Sequence, residues 1–95
     1  MYAVFAEVNA DESQTDLARE FLSNIVAPRA RDGGAKGGYW LAPAGGRGVS
    51  IVVYEDEEAA RTMASRLIVG ERPSPEAPEG VTVRTVEVRE VLASV

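Results

Sequence analysis

The chain contains no cysteine and no histidine. That excludes disulfides, thiolate and imidazole metal ligands, cysteine nucleophiles, histidine bases and histidine-ligated haem. Lysine is almost missing as well: Lys36 stands alone against nine arginines. With alanine and glycine abundant, this bias points to a GC-rich bacterial source. No apolar run approaches the roughly 20 residues of a membrane-spanning helix. The first ten residues lack a basic segment, and Glu7 interrupts their apolar stretch, so no signal peptide is expected and the location read from this is cytoplasmic. Basic residues are in deficit, 10 against 15 acidic, for a net charge of −5, which argues against a nucleic-acid partner.

What is present is a folding composition. Hydrophobic residues reach 45% and charged residues 26%, enough to bury a core and too apolar for a disordered chain. With 95 residues there is room for one domain, residues 1–95, and no second core.

Tyr2 to Val8 read as a strand with apolar residues in both phases, so both of its faces should be covered. Asp11 then caps a helix start, with Gln14 three residues on as in a capping box. Leu17, Ala18, Phe21, Leu22 and Ile25 recur at helical spacing, which predicts a helix from about Glu12 to Ala27 packed on a sheet. Pro28 should end or kink it. Seven of the nine glycines lie between Gly33 and Gly48. They frame a second strand, Gly37 to Leu41, and a hairpin loop from Ala44 to Gly48. A third strand, Val49 to Glu55, follows. Asp56, Glu57 and Glu58 open a second helix, where acids suit the positive end of the dipole. Its buried stripe is Ala60, Met63, Ala64 and Leu67, with Glu57 paired to Arg61 and Gly70 as the C-cap. Residues 71–80, with Pro73, Pro75 and Pro78, read as a surface loop. The last strand runs from Val81 to about Leu92. Its apolar phase switches near Arg84 and Thr85, which predicts a β-bulge or bend.

The order β-α-β-β-α-β is the ferredoxin-like arrangement of an α+β protein. Right-handed crossovers place both helices on one face of the antiparallel sheet. The other face would then be bare, although Ala3, Phe5, Val49, Ile51, Val52 and Val53 leave neither phase polar. A homodimer with sheets face to face removes that exposure.

The stretch Gly37-Gly38-Tyr39-Trp40-Leu41, the hairpin, and then Val49-Ser50-Ile51-Val52-Val53-Tyr54-Glu55-Asp56-Glu57-Glu58-Ala59-Ala60 resemble the dimeric α/β-barrel superfamily. Within it, the resemblance is to antibiotic-biosynthesis monooxygenase-like proteins. Asp32-Gly33-Gly34 stands where that family usually has a Pro-Gly-Phe turn. The resemblance implies sheets paired in a dimeric α/β barrel, with a pocket in each protomer between the sheet and its helices. Haem-degrading relatives use an Asn on the first strand, a Trp ending the third and a His on the second helix. Those positions fall among Val4 to Ala6, on Tyr54 and on Met63, so no haem and no other cofactor or metal is expected.

Other members of the resembling family oxidise electron-rich phenols with no cofactor, because the ionised substrate itself reacts with oxygen. Such a site needs an apolar pocket and a polar group facing the developing anion. Tyr54 and Arg84 are the candidates for that polar role, with Tyr39, Trp40, Met63 and Phe21 lining the pocket. Glu7, a lone acid in an apolar strand, is the candidate base, here or in an isomerase. The expected ligand is a small hydrophobic or aromatic molecule. The alternative is a homodimer without chemistry, either a binding or a structural protein, in which Tyr54, Met63, Phe21 and Leu67 fill the space where a pocket would be. The glycine runs lack the spacing of a phosphate-binding loop.

Overall fold

The computed structural model describes every residue from Met1 to Val95. Its centre is strand β1, Tyr2–Asn9, which pairs antiparallel with β3, Arg47–Tyr54, on one side and β4, Thr82–Glu90, on the other. Strand β2, Ala35–Trp40, lies outside β3, so the sheet order is β2-β3-β1-β4. The hairpin turn is tighter than the predicted loop. Ala44 and Arg47 exchange backbone hydrogen bonds of 2.9 and 3.1 Å around Gly45 and Gly46, whose φ values are 60° and 79°. Two consecutive positive φ angles make the turn whose twist matches a right-handed hairpin, and glycine adopts them without strain.

The predicted bulge falls at Arg84. Glu7 pairs with Thr85 and Val8 with Val83, so Arg84 is the unmatched residue. Its insertion turns Val83, which is 1% exposed, to the side already occupied by Val86 and Val88. The outer edge of β4 is partly covered there, since Gly70 N–H donates to Val83 O and Val83 N–H to Glu71 O, both at 2.8 Å. Gly70 therefore serves this contact and is not the C-cap of a helix.

The first helix departs most from expectation. It does not stop at Pro28. A 3₁₀ turn, Glu12–Gln14, leads into α1, Thr15–Phe21, then a π-helical turn, Leu22–Val26, then α2, Ala27–Asp32. The Ala27 N–H reaches back five residues to Leu22 O. That wider turn stands immediately ahead of Pro28, where a normal turn would press the ring on the Asn24 carbonyl. One extra residue in the turn rotates the following face by about 100°, so the expected stripe does not become the buried one. Leu17 is 56% exposed, Phe21, Leu22 and Ile25 are half-buried, and the residue that reaches the core is Ala30, beyond the proline. Gln14 does not close a capping box either. Asp11 accepts from Ser13 N–H at 2.8 Å, while the Gln14 side chain donates to Glu79 O at 3.1 Å.

The second helix, α3, spans Glu57–Ala64. Asp56 caps it by accepting from Ala59 N–H at 2.8 Å, and Glu57 pairs with Arg61 at 2.8 Å. Ala30 of α2 and Ala60 of α3 pack in one cluster with Val4, Val52 and Tyr54. Both helices thus meet the same side of the sheet. The whole is a small α+β fold, a four-stranded antiparallel sheet with two helices, compatible with the ferredoxin-like arrangement.

Residues 71–80 are tied back to the first helix. Arg29 donates to Glu76 Oε1 at 2.6 Å, and Ser74 Oγ donates to Glu76 Oε2 at 2.9 Å. The Arg72 guanidinium donates to the Ala77 carbonyl, closing the loop on itself. These bonds hold the Glu76 carboxyl down at about 2, led by the one from Arg29. A carboxyl lowered in the folded state stabilises above its unfolded value and loses that contribution as pH falls toward its folded one. The clasp should therefore hold through pH 5 and release between roughly pH 4.5 and 2. Carboxyl NMR titration should place the Glu76 midpoint near 2, and Arg29→Gln should move it back toward the ordinary glutamate range. An unchanged midpoint in that variant would show that Arg29 does not hold the loop.

Candidate functional site

Tyr54 ends β3 on the helix side of the sheet and is fully buried. Strand alternation puts it on the same side as Val52 and, across the β1 pairing, beside Tyr2 and Val4. Small residues make room for its ring, since Ala30 and Ala60 are the helix positions that face it and neither carries a side chain beyond Cβ. Trp40, Met63, Ala59 and Ala64 pack around this cluster. The Tyr54 hydroxyl is buried and has no hydrogen-bond partner. Burial pushes the phenol above the usual tyrosine range, and the positive charge of Arg66 offsets part of that rise. At neutral pH the group is a protonated donor in an apolar setting.

The other candidates do not gather around it. Glu7 sits on the opposite, helix-free side of the sheet, where Arg47 of the neighbouring strand donates to its carboxylate at 2.7 Å. Its partner comes from the same chain, and the carboxylate is already engaged. Arg84 is the exposed bulge residue on the edge strand and makes no ion pair. Tyr54, Glu7 and Arg84 therefore occupy two faces and an edge and form no common site within one protomer.

The lining residues divide in the same way. Trp40 and Met63 belong to the Tyr54 side. Tyr39, next to Trp40 in the strand, must point the other way, and it stands 77% exposed on the helix-free face. Phe21, at the end of α1, is half-buried and is not among the residues packed on Tyr54; Leu67 stays outside that cluster too. Grouping Tyr39 with Trp40 in one pocket fails on the two-residue period of a strand. Phe21 lies ahead of the π turn, and the helix residue that reaches the cluster is Ala30, beyond it.

The space between sheet and helices is filled by Tyr54 and its alanines. An open groove of about 280 Å³ lies between α3 and the turn after α2, lined by Gly33, Asp56, Glu58, Ala59, Thr62, Met63 and Arg66, and it shares Ala59 and Met63 with the packing around Tyr54. Sequence reasoning passed over Arg66 and Gly33. Helical spacing marks only part of the groove: Ala59, Thr62 and Met63 follow one another along α3, whereas Arg66 lies past the end of that helix and Gly33 comes from the turn after α2. No three acidic side chains converge as metal ligands would, and no helix is long and apolar enough to cross a membrane.

An unpartnered hydroxyl in a core is a cost without return in stability. Tyr54→Phe should leave the protein as stable or more stable, by about 1 kcal/mol, in urea denaturation. Tyr54→Ala should lose roughly 3–5 kcal/mol by opening a cavity. A clear loss in the phenylalanine variant would mean that the hydroxyl is hydrogen-bonded after all.

No protein-family model matches the chain, and no curated protein matches it.

Proposed function

We propose that the chain acts as a homodimer that binds a small hydrophobic or aromatic molecule on the helix side of each sheet and oxidises it with molecular oxygen, without a cofactor. The observation that carries this reading is the Tyr54 hydroxyl, a donor kept in an apolar core with nothing in the protein to bond. Buried polar groups are almost always paired, and an exception calls for a reason outside stability. A protonated donor in low dielectric suits an anion that forms during reaction. In the reaction considered, an anthrone-like substrate ionises and its CH₂ is oxidised to a carbonyl. One atom of O₂ enters that carbonyl and the other leaves in water.

The dimer is argued from surface. A 10.1 kDa monomer is expected to expose roughly 5,300 Å², whereas this chain exposes 6108 Å². The excess is about what one partner contributes to a standard interface. The helix-free face supplies an apolar area to bury. One row across the sheet holds Tyr39, Ile51 and Phe5, and the adjacent rows add Val53, Ala3 and Val49. Tyr39 and Ile51 are exposed, the latter at 46%. Face-to-face pairing of these sheets is the closure of a dimeric α/β barrel.

A second reading, a binding or structural dimer with no chemistry, is favoured by the filled space around Tyr54. The two are separated by oxygen uptake. With an anthrone as substrate, the oxygenase reading expects uptake well above the uncatalysed rate, reduced tenfold or more in Tyr54→Phe. Uptake no faster than buffer, from protein of intact fold and dimeric mass, would leave only the second reading. Light scattering should give about twice the protomer mass, and Ile51→Lys should give a monomer with an unchanged circular dichroism spectrum. A monomeric wild type would overturn the barrel.

A further inference from the structure

Met63 and Ala59 have two neighbourhoods at once. They pack on the buried cluster that holds Tyr54, and they line the groove between α3 and the Gly33 turn. They are the residues through which the open groove meets the buried cluster of the orphan hydroxyl. Ala59 belongs to the helix backbone and cannot move aside. Met63 can, because its side chain is unbranched with three rotatable bonds and repacks at little cost. Its Cε approaches the turn at Gly33, where an added Cβ would lie 4.0 Å from it.

The charge at the groove is divided along its length. Asp56 and Glu58 stand at the start of α3, and one Asp56 oxygen is taken by the Ala59 N–H. Arg66 stands beyond the other end of the helix, eight residues past Glu58 and roughly 12 Å along the axis. It has no ion-pair partner, unlike Arg19, Arg29, Arg47, Arg61 and Arg89. It is also the charged group whose field reaches the Tyr54 hydroxyl.

We propose that Met63 is a gate, and that the groove it lines is the binding site for a monoanionic aromatic acid, a carboxylate or phenolate, whose oxyanion is held by Arg66 and, once Met63 moves aside, by the Tyr54 hydroxyl. The ring lies against Ala59 and the displaced Met63. The carboxylates at the far end repel a second negative charge, so dianions are excluded. The groove volume admits a ligand of one or two rings. This inference rests on the reading of the helix side as the ligand site and adds the ligand's charge, the cation that binds it and the residue that admits it.

The chain has only two methionines, Met1 and Met63, so methyl-¹³C-methionine NMR reports on the gate directly. The probes are 1-naphthoate and its neutral counterpart 1-naphthalenemethanol, with affinities from calorimetry. Naphthoate should shift the Met63 methyl saturably, leave Met1 in place, and bind at least tenfold more tightly than the alcohol. Arg66→Gln, an exposed position that the fold does not need, should remove most of that preference and change alcohol binding less than twofold. Tyr54→Phe should weaken naphthoate severalfold with no loss of thermal stability. Equal affinity for the two probes, or an equal effect of Arg66→Gln on both, would overturn the oxyanion site and leave the aromatic-binding reading standing. Oxygen uptake with no Met63 shift would overturn the gate and leave the oxygenase standing. Naphthoate binding of the expected kind with no oxygen uptake would support the site and sink the oxygenase, and a protein that binds neither probe would end the proposed site.

Discussion

Tyr54 is where the two halves of the chain meet. Its ring needs a slot between the sheet and the helices, and the slot exists because the helices present Ala30 and Ala60 there. Only ten residues of the protein are buried, and Tyr54 is the largest among them. A core this thin cannot distribute its packing over many contacts. The helices must approach the sheet at the depth that this one ring sets, and the surrounding Trp40, Met63, Val86 and Val88 are half-covered in consequence. The same ring carries the molecule's one buried side-chain polar atom without a partner. Structural necessity accounts for the ring. It does not account for the hydroxyl, which phenylalanine would omit.

The proline loop is a second consequence of the thin core. The stretch of α1 before Pro28 buries no residue, so hydrophobic contact alone does not hold it. Gln14 ties its start to residues 71–80 through the Glu79 carbonyl, and Arg29, just past the proline, ties the continuing helix to Glu76. Exposed ion pairs of this kind are individually weak. Their value here is geometric, since the Arg29 pair fixes where the helix lies beside the core contact of Ala30 while Gln14 holds its start.

Much of this was legible in the chain itself, and the parts that were not share a cause. The strands, the hairpin, the acidic cap of α3 and the bulge at Arg84 follow from local rules: a two-residue period, glycine in a tight turn, carboxylates at a helix start and a switch of apolar phase. Those signals act over a few residues and survive folding. Pro28 also acts locally, but its effect depends on what precedes it. A π turn before the ring accommodates it, and no residue in Leu22–Val26 announces that turn. Once it is present, the face of the helix rotates and the residue that reaches the cluster is Ala30, beyond it. Of the site candidates, Tyr54, Trp40 and Met63 fall together because all lie on the helix side. Tyr39 and Glu7 were separable from them by counting along their strands. Arg84 was legible as a bulge residue, and a bulge on an edge strand directs its side chain to solvent. Arg66 escaped notice because a lone arginine after a helix is common, and only the turn at Gly33 makes a groove beside it.

The two faces of the sheet pose opposite physical problems, which constrains how the second copy of the proposed dimer can sit. The helix face is filled and keeps an unmet donor. The bare face has apolar side chains in its middle and ion pairs toward its sides, Glu7 with Arg47 and Glu87 with Arg89. Removing such pairs from water costs several kcal/mol per ion unless further hydrogen bonds meet them. An interface centred on Glu7 would incur that penalty twice across a two-fold axis. Centring it on the row of Tyr39, Ile51 and Phe5 instead buries the exposed apolar surface and leaves the ion pairs at a wet rim, where they can set register at little cost. In the proposed dimer the axis therefore belongs on the β3 side of the sheet. Glu7 then belongs to the rim, which leaves the helix side of each protomer for the proposed chemistry.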